Sequence, residues 1–450
     1  MSSQTFVARS RIDAPAEQVF AFHERASAFA RLTPPYEDVE VVRRDGSIRD
    51  GDRTVLRMKL GPLSRRWVAE HRDYEAGRQF VDVQLKGPFA RWEHLHRVEP
   101  EGDDRSVMID RVEYRLPLGA LGHAVAGSMV ERRLERMFAY RHDVLAHDAR
   151  LHRLAGRRRL RVAITGASGL IGADLSALLG GGGHEVVPLR RGVHWDPAKE
   201  HVDPAAIEGF DAIVHLAGEN VAQRWTDAAK ARIRDSRVQG TRALAEAIAR
   251  LERKPEVLVS TSAIGVYGDA GEAPVDESAT PGEGFLADVC REWEAAAQPA
   301  VDAGVRVVHP RMGVVLSPRG GALGKMRLPF SLGLGGRVGD GEQYMSWVGI
   351  DDAAGALYFL LLEPSLEGPV NVTAPAPATN ARFTSALGRV LGRPTIFGVP
   401  ASIVELALGE MGEATLLAGA RVLPSRLEAA GYPFAHPELE GALRHVLGKT

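Results

Sequence analysis

Cysteine is nearly absent: Cys290 stands alone in 450 residues. One thiol cannot form an internal bridge, so a disulfide framework is excluded, and a reducing cytoplasmic setting is expected. Charge of one sign is missing too. Lys and Arg number 56 against 58 Asp and Glu, a formal net charge of -2. No global field therefore draws the chain to nucleic acid or to a membrane surface. No apolar run approaches the roughly 18 residues that a spanning helix requires. The opening MSSQTFVARSRIDAP lacks the apolar core of a secretory leader. What is present is an ordinary globular balance, 45% hydrophobic and 25% charged. The length suits two or three domains.

Up to about residue 155 the pattern is one of short strands. TFVARSRI alternates, and DAPAEQVFAFH then reads as a helix start with Asp13 as its cap and Pro15 in the first turn. Further alternating runs follow: DVEVVRR, DRTVLRMKL, RRWVAEHRDY, RQFVDVQLK, ARWEHLHRVEP and SVMIDRVEYRL. Turn pairs such as Asp45-Gly46, Asp50-Gly51 and Gly87-Pro88 divide them. AVAGSMVERRLERMFAYRHDVLAHDARLHRL predicts a long closing helix, with Val125, Met129, Leu134, Phe138 and Leu145 at roughly helical spacing. His94 and His96 share a strand face with Trp92. Two imidazoles at that spacing suit a metal, but no third ligand presents itself, so a cavity wall or exposed face is expected and no metal.

This layout, with IDAPAEQVFAF near its start, resembles the START-like superfamily that includes the polyketide cyclases, also called SRPBCC. The resemblance covers roughly residues 4–150. It implies an α+β helix-grip domain over residues 1–152, a sheet wrapped round a long helix with a cavity for an apolar ligand. Residues 153–159 then read as a basic linker, solvated or touching an anionic surface.

RLRVAITGASGLIGADLSALLGGGGHEVVPLRRG carries the clearest chemistry. RVAIT is a buried strand, GASGLIG turns tightly into the helix ADLSALLG, and HEVVPLR is a second strand. Gly166, Gly169 and Gly172 let backbone amides approach a pyrophosphate, and the helix N-terminus adds its positive end. Ser168, Leu170 and Ile171 belong to the same expected cofactor contacts, as do Leu216, Ala217, Gly218 and Glu219 after the strand FDAIVHLAGENV. Glu219 and Asn220 fall either at the nicotinamide end or in a plain turn. The second strand ends in Arg190-Arg191, not in the acid that would accept from a ribose 2′-hydroxyl. A guanidinium pair suits a 2′-phosphate, which favours NADP(H) over NAD; a surface Arg pair is the plainer reading. The alternation continues through KARIRDSRVQGTRALAEAIARL, EVLVSTSAIGVYGD and VRVVHPRMGVVLS. It predicts an α/β Rossmann fold, a doubly wound parallel sheet covered on both faces.

TGASGLIG, VHLAGEN, STSAIGVYG, PRMGVVLSPRGGALGKM and SWVGIDDAAGAL resemble the extended short-chain dehydrogenase/reductases. RWTDAAKARIRDSRVQGT, WEAAA and the tail GVPASIVELALGEMGEATLLAGARVLPSRLEAAGYPF narrow the resemblance to an atypical epimerase-like branch. It covers nearly all of residues 160–448 and implies a Rossmann domain over 160–395. A helical C-terminal segment over 396–450 would then cap the substrate side. It also implies an NADP site, without defining a substrate; some relatives are linked by name to cell or plastid division.

In the wider family a Ser or Thr orients the substrate carbonyl and a Tyr moves the proton. A Lys one turn on lowers the Tyr pKa and holds the nicotinamide ribose. Ser262 matches the hydroxyl if one extra residue is allowed before VYG. Setting Glu294 against the acid that usually follows Lys puts Cys290 at the Lys position and Leu286 at the Tyr position. These three line one helix face, with Asp288 pointing elsewhere. The Asn that often precedes VxGT is Arg237 here. Substitute proton donors are Cys290, since an unperturbed thiol titrates at about 8.5, and Tyr267 of GVYGD. Their plainer readings are a small buried hydrophobe and a packing residue. Trp225 and Trp347 either line a substrate pocket or pack, and GGALGKMRLPFSLGLGGRVGDG is either a substrate lid or a long loop.

Two functions stay open. One is an NADP(H)-dependent oxidoreductase or epimerase-like enzyme of atypical mechanism, acting on a small molecule. The other is a non-catalytic NADP-binding regulator or scaffold. The retained Ser262 supports the first, and the altered helix supports the second.

Overall fold

The computed structural model describes residues 3–60, 63–118 and 120–449. The chain divides into two compact units, one built in the main on residues up to Gly156 and one in the main on residues from Arg157.

The first unit runs β1 (Gln4–Ile12), α1 (Ala16–Glu24), α2 (Ala28–Leu32), β2 (Val39–Asp45), β3 (Arg53–Leu60), β4 (Leu63–Glu75), β5 (Gln79–Lys86), β6 (Arg91–Pro100), β7 (Ser106–Arg115) and α3 (Ala120–Ala155). Its strands form one seven-stranded sheet in the order β1-β7-β6-β5-β4-β3-β2. Every pairing is antiparallel. Strict alternation gives the sheet its inner face: Trp92, His94, His96 and Val98 of β6 are all buried, and their neighbours are less so. Phe20, Phe80, Met108 and Leu145 form one apolar cluster there, and Trp67, Trp92, Leu134 and Phe138 another.

Two expectations need correcting. Asp13 does not cap α1: the helix is entered through Pro15, with no side-chain capping bond, and Val19 N donates to the Pro15 carbonyl at 3.2 Å. In α3, Leu134, Phe138 and Leu145 are buried, but Val125 and Met129 are 80% and 62% exposed. The packed stripe runs through Ala126, Val130, Leu134 and Phe138. Val125 and Met129 stand one residue off it, a rotation of about 100° on a helix. The helix runs on to Ala155.

The second unit opens with β8 (Arg161–Thr165), α4 (Leu170–Gly181), β9 (Glu185–Leu189) and a short pair, β10 (Trp195–Asp196) and β11 (His201–Val202). Then come β12 (Ala212–His215), α5 (Asp227–Arg250), β13 (Val257–Ser260), β14 (Ser262–Ala263), β15 (Gly271–Val275), α6 (Phe285–Ala295), α7 (Gln298–Asp302) and β16 (Arg306–Met312). The main sheet is parallel, in the order β9-β8-β12-β13-β16, with β14 and the strand Gly368–Val372 both added to β16. Every residue of β12 and β13 is buried, as a strand covered on both faces requires. The chain moves outward from β8 to β9 and then returns to the other side of β8 for β12. That reversal opens a crevice beyond the strands' C-terminal ends, where open α/β sheets bind ligands.

The glycine-rich candidate lid begins as a helix, Gly321–Ser331. The C-terminal segment adds the strand Ala420–Val422 to β15 in parallel and ends on the helix Leu439–Leu447. Among the described residues, no helix is long and apolar enough to cross a membrane.

Candidate functional site

The glycine turn after β8 is shaped by close approach. Gly166 has φ +69°, and a Cβ there would lie 3.0 Å from both Ala217 N and the Leu216 carbonyl carbon. A side chain is thus excluded twice, by conformation and by the neighbouring turn. At Gly172 a Cβ would lie 2.2 Å from the Gly166 carbonyl oxygen, so α4 can pack on the turn only through glycine. Thr165 fastens the two turns together: its Oγ1 accepts from Leu216 N at 3.1 Å and Ala217 N at 3.3 Å. It also lies 2.7 Å from His215 Nδ1. Burial, helped by the Arg237 charge, pushes His215 down to about 4, so this imidazole is neutral at ordinary pH.

A cavity of about 920 Å³ opens at this crevice. Gly166, Ser168, Gly169, Arg190 and Arg191 line one part of it, and Leu216, Ala217, Gly218 and Glu219 another. Leu170 and Ile171 instead send their side chains into the apolar cluster around Leu316 and Leu323. Gly172 sits behind the turn. The sequence reading missed Trp195, Pro197 and Ser236, which also line the cavity. Trp195, an aromatic just past the second strand, was the available signal.

Arg190 and Arg191 are exposed at the end of β9. Among the described residues neither guanidinium has an ion pair or a hydrogen bond. Their loop is nonetheless held: Arg190 N donates to His194 Nδ1 at 3.0 Å, and His194 N donates back to the Arg190 carbonyl at 2.9 Å.

The helix α6 is amphipathic and buries Ala287, Val289, Cys290 and Trp293. Leu286 packs on Gly265, whose added Cβ would lie 3.2 Å from the Leu286 Cβ. Cys290 lies among Val266, Tyr267, Ala420 and Val422. Burial, reinforced by Glu294, pushes its thiol up to about 11, although Ser262 and Arg237 pull the other way. The unperturbed thiol on which Cys290 rests as a candidate proton donor is therefore not what this environment produces. Tyr267 is also committed elsewhere. Its hydroxyl donates to Asn371 Oδ1 at 2.7 Å and accepts from Arg311 Nη1 at 2.9 Å. Burial raises its pKa, with Arg311 opposing. Among the described residues the buried Ser262 Oγ has no hydrogen-bond partner of ordinary geometry, although it lies close enough to Cys290 and Glu294 to favour their ionised forms.

Arg237 joins the Glu219 turn to α6. Its Nη1 donates to the Glu219 and Ile233 carbonyls at 2.9 and 3.1 Å, and its guanidinium lies 5.0 Å over the Trp293 ring. Trp293 Nε1 in turn donates to Thr241 Oγ1 at 2.9 Å. Asn220 is a turn residue, its Oδ1 accepting from Ala222 N at 2.9 Å. The two tryptophans separate. Trp347 is fully buried, donating to the Ala376 carbonyl at 3.0 Å, and belongs to the core. Trp225 is half-buried against Phe285, with ring centroids 4.9 Å apart. Lys230 reaches the same Phe285 ring and pairs with Glu410 of the C-terminal segment.

Residues 162–372 match the NAD dependent epimerase/dehydratase family, residues 12–141 the polyketide cyclase / dehydrase and lipid transport family, and residues 399–446 a domain of unknown function. An epimerase family protein of Mycobacterium bovis is 46% identical over 293 residues, which is 63% of this chain and 97% of that protein. The chain belongs to the epimerase family. Two solved structures show how far the likeness extends within it. A crystal structure of a Corynebacterium glutamicum protein, described as a nucleoside-diphosphate sugar epimerase, aligns with a TM-score of 0.81 at 34% identity. That alignment covers 98% of this epimerase-family chain and 90% of the other. The human epimerase family protein SDR39U1, crystallised with NADPH, aligns at 36% identity and a TM-score of 0.60. It covers 64% of this chain and 99% of the human one.

Proposed function

We propose that the second unit binds NADP(H) and acts as an oxidoreductase on a small carbonyl or hydroxyl compound, without the phenol–ammonium pair usual in its wider family. The observation that carries the cofactor choice is the Arg190–Arg191 doublet, unpaired among the described residues, on the wall of the glycine-turn cavity. Two exposed guanidiniums there suit a phosphate dianion. The NADPH in the human relative supports the same choice. When bound, the cofactor supplies hydride chemistry. The chain's own part is to present the turn amides and the α4 N-terminus to the pyrophosphate, and Ser262 to the substrate.

Leu286 and Cys290 offer no proton donor of near-neutral pKa. Loss of a positioned acid costs about 10²–10⁴ in rate, while orientation alone can supply roughly 7–11 kcal/mol. Hydride transfer therefore survives on proximity, at a reduced rate. Affinity for NADPH at least about tenfold above that for NADH, by fluorescence titration, is the expected result. Equal affinities would remove the basis for the phosphate assignment.

A second reading, a non-catalytic NADP-binding regulator or scaffold, is favoured by one specific observation: the Tyr267 hydroxyl is already taken by Arg311 and Asn371. Single-turnover oxidation of bound NADPH by a panel of small carbonyl compounds, nucleoside-diphosphate ketosugars included, separates the two. Oxidation by any member supports the enzyme; none across the panel supports the regulator.

We read the first unit as a helix-grip domain with its ligand in a cavity of about 240 Å³. Ala28, Phe29, Leu32 and Met108 give that cavity an apolar wall, and Arg44, Asp82 and Arg141 a charged one. An amphipathic ligand fits this lining better than the purely apolar one the resemblance implied.

A further inference from the structure

The inner face of the antiparallel sheet carries a ladder of imidazoles and carboxylates. Strand alternation puts His94 and His96 of β6 on that face together. Register then supplies partners. Asp82 of β5 lies directly opposite His94, and Asp110 of β7 directly opposite His96. His71 of β4 lies opposite Asp82 in turn. No local sequence pattern joins the two β6 histidines to His71, Asp82 and Asp110, since these three come from three other strands.

The geometry has a centre and a rim. Asp82 Oδ2 is 3.1 Å from His96 Nε2 and 3.9 Å from His94 Nδ1. One ligand atom from each of these three residues falls within 4.8 Å of the others. The far nitrogens are braced by a second carboxylate: His94 Nε2 is 2.7 Å and His96 Nδ1 2.9 Å from Asp110 Oδ1. Asp110 Oδ2 meets His142 Nε2 at 2.7 Å, and the other oxygen of Asp82 meets His71 Nε2 at 3.0 Å.

Proton counting identifies what such a centre requires. A neutral imidazole has one N–H. If His94 donates through Nε2 to Asp110, its Nδ1 turns a bare lone pair toward the Asp82 carboxylate. His96 stands between both carboxylates, so a single proton leaves one nitrogen lone pair facing an anion. Extra protons or a cation must relieve this.

We infer that Asp82, His94 and His96 bind a divalent transition-metal ion in the first unit, with Asp110 and His71 as positioning residues behind them. Such ions take imidazole nitrogen and carboxylate oxygen at about 2.0–2.2 Å, which sets ligand atoms roughly 3.3 Å apart in a tetrahedral arrangement. The 3.1 and 3.9 Å separations bracket that value, so small rotations complete the site. A carboxylate behind each ligating histidine fixes tautomer and ring direction. Two imidazoles and one carboxylate select Zn²⁺, Co²⁺ or Fe²⁺ over Mg²⁺ and Ca²⁺, which prefer oxygen alone. Three protein ligands leave a coordination position free. Asp82 and His96 also line the 240 Å³ cavity, which has room for water or a ligand atom there. Arg44 and Arg141 on the same cavity favour an anionic group on that ligand.

The test uses the full chain, stripped with a chelator and dialysed. Titration with Zn²⁺ by calorimetry and with Co²⁺ by visible absorption should show one ion per chain, and Zn²⁺ should raise the unfolding temperature. X-ray absorption of the zinc-loaded wild type should show two imidazole ligands, a result that needs no variant to fold. Replacing both ligands, His94→Gln with His96→Gln, should abolish the Co²⁺ spectrum. Asp110→Asn should weaken binding by about 10–100-fold without abolishing it. Binding that survives the double substitution, zinc without imidazole scattering, or a wild type that takes up no metal would each overturn the inference. The last outcome would leave the ladder as a protonated hydrogen-bond network.

Discussion

Both oxygens of Glu294 accept hydrogen bonds from Arg311, each at 2.9 Å. The pair links α6 to β16, and Arg311 extends it to the Tyr267 hydroxyl. Both side chains are largely buried, Arg311 6% and Glu294 16% exposed. Removing one partner leaves a charge stranded. Arg311→Ala should therefore destabilise the chain by about 3 kcal/mol, read by urea unfolding. A loss under about 1 kcal/mol would show the pair to be solvated after all.

The same pair sets a pH dependence. Burial alone would raise the Glu294 carboxyl, but the bonds and charge of Arg311 outweigh it and hold the group below its usual value. The unfolded chain, with a carboxyl near 4.3, then binds more protons than the folded one below that pH. Stability from this group is complete above about pH 4.3 and drains away as pH falls through the lower folded value. In Glu294→Gln this part of the acid slope should disappear. An unchanged slope between wild type and variant would contradict the argument.

For the cofactor, Arg190→Ala with Arg191→Ala should lower NADPH affinity by about 10–100-fold, since bonds to a charged group contribute about 1.5–3 kcal/mol. NADH affinity should stay within about threefold. Equal losses for both cofactors would mean that the loop, not the phosphate contact, had been damaged.

Gly166→Ala should be more severe and unselective. The φ of +69° and the 3.0 Å approach to Ala217 N both oppose a methyl group. Left-handed backbone at a non-glycine residue costs roughly 1–2 kcal/mol before the clash is counted. Both cofactors should bind at least about tenfold more weakly. Unimpaired binding would mean that the two turns can separate.

Cys290 reports on its own burial, being the sole thiol. With its pKa raised to about 11, little of it is thiolate at pH 8. A small aromatic disulfide reagent should react with the folded chain at least roughly 100-fold more slowly than with the unfolded chain. Similar rates would return Cys290 to the candidates for proton transfer.

What was legible in the sequence was what is local. The glycine turn, the second strand and the Arg doublet occupy one contiguous stretch, and the cavity brings most of those residues together. Strand alternation in β6 announced that His94 and His96 share a face. It could not supply Asp82 or Asp110, because antiparallel register is fixed by turns and packing elsewhere. The bond from Tyr267 to Asn371 spans 104 positions and left no trace in the motif GVYG. Val125 and Met129 show the converse error. They fit a helical period, but the face is chosen by what lies opposite it, one residue away.

Arg237 has a consequence for any attempt to rebuild an ordinary catalytic helix. Its charge is felt at Cys290 and the thiolate's at Arg237. A lysine placed at 290 would set a second cation against a half-buried guanidinium that already serves the Glu219 turn. Like charges that close are costly away from water. Positions 237 and 290 therefore behave as one electrostatic unit that tolerates a single cation. Grafting Tyr and Lys onto α6 requires position 237 to become neutral in the same step.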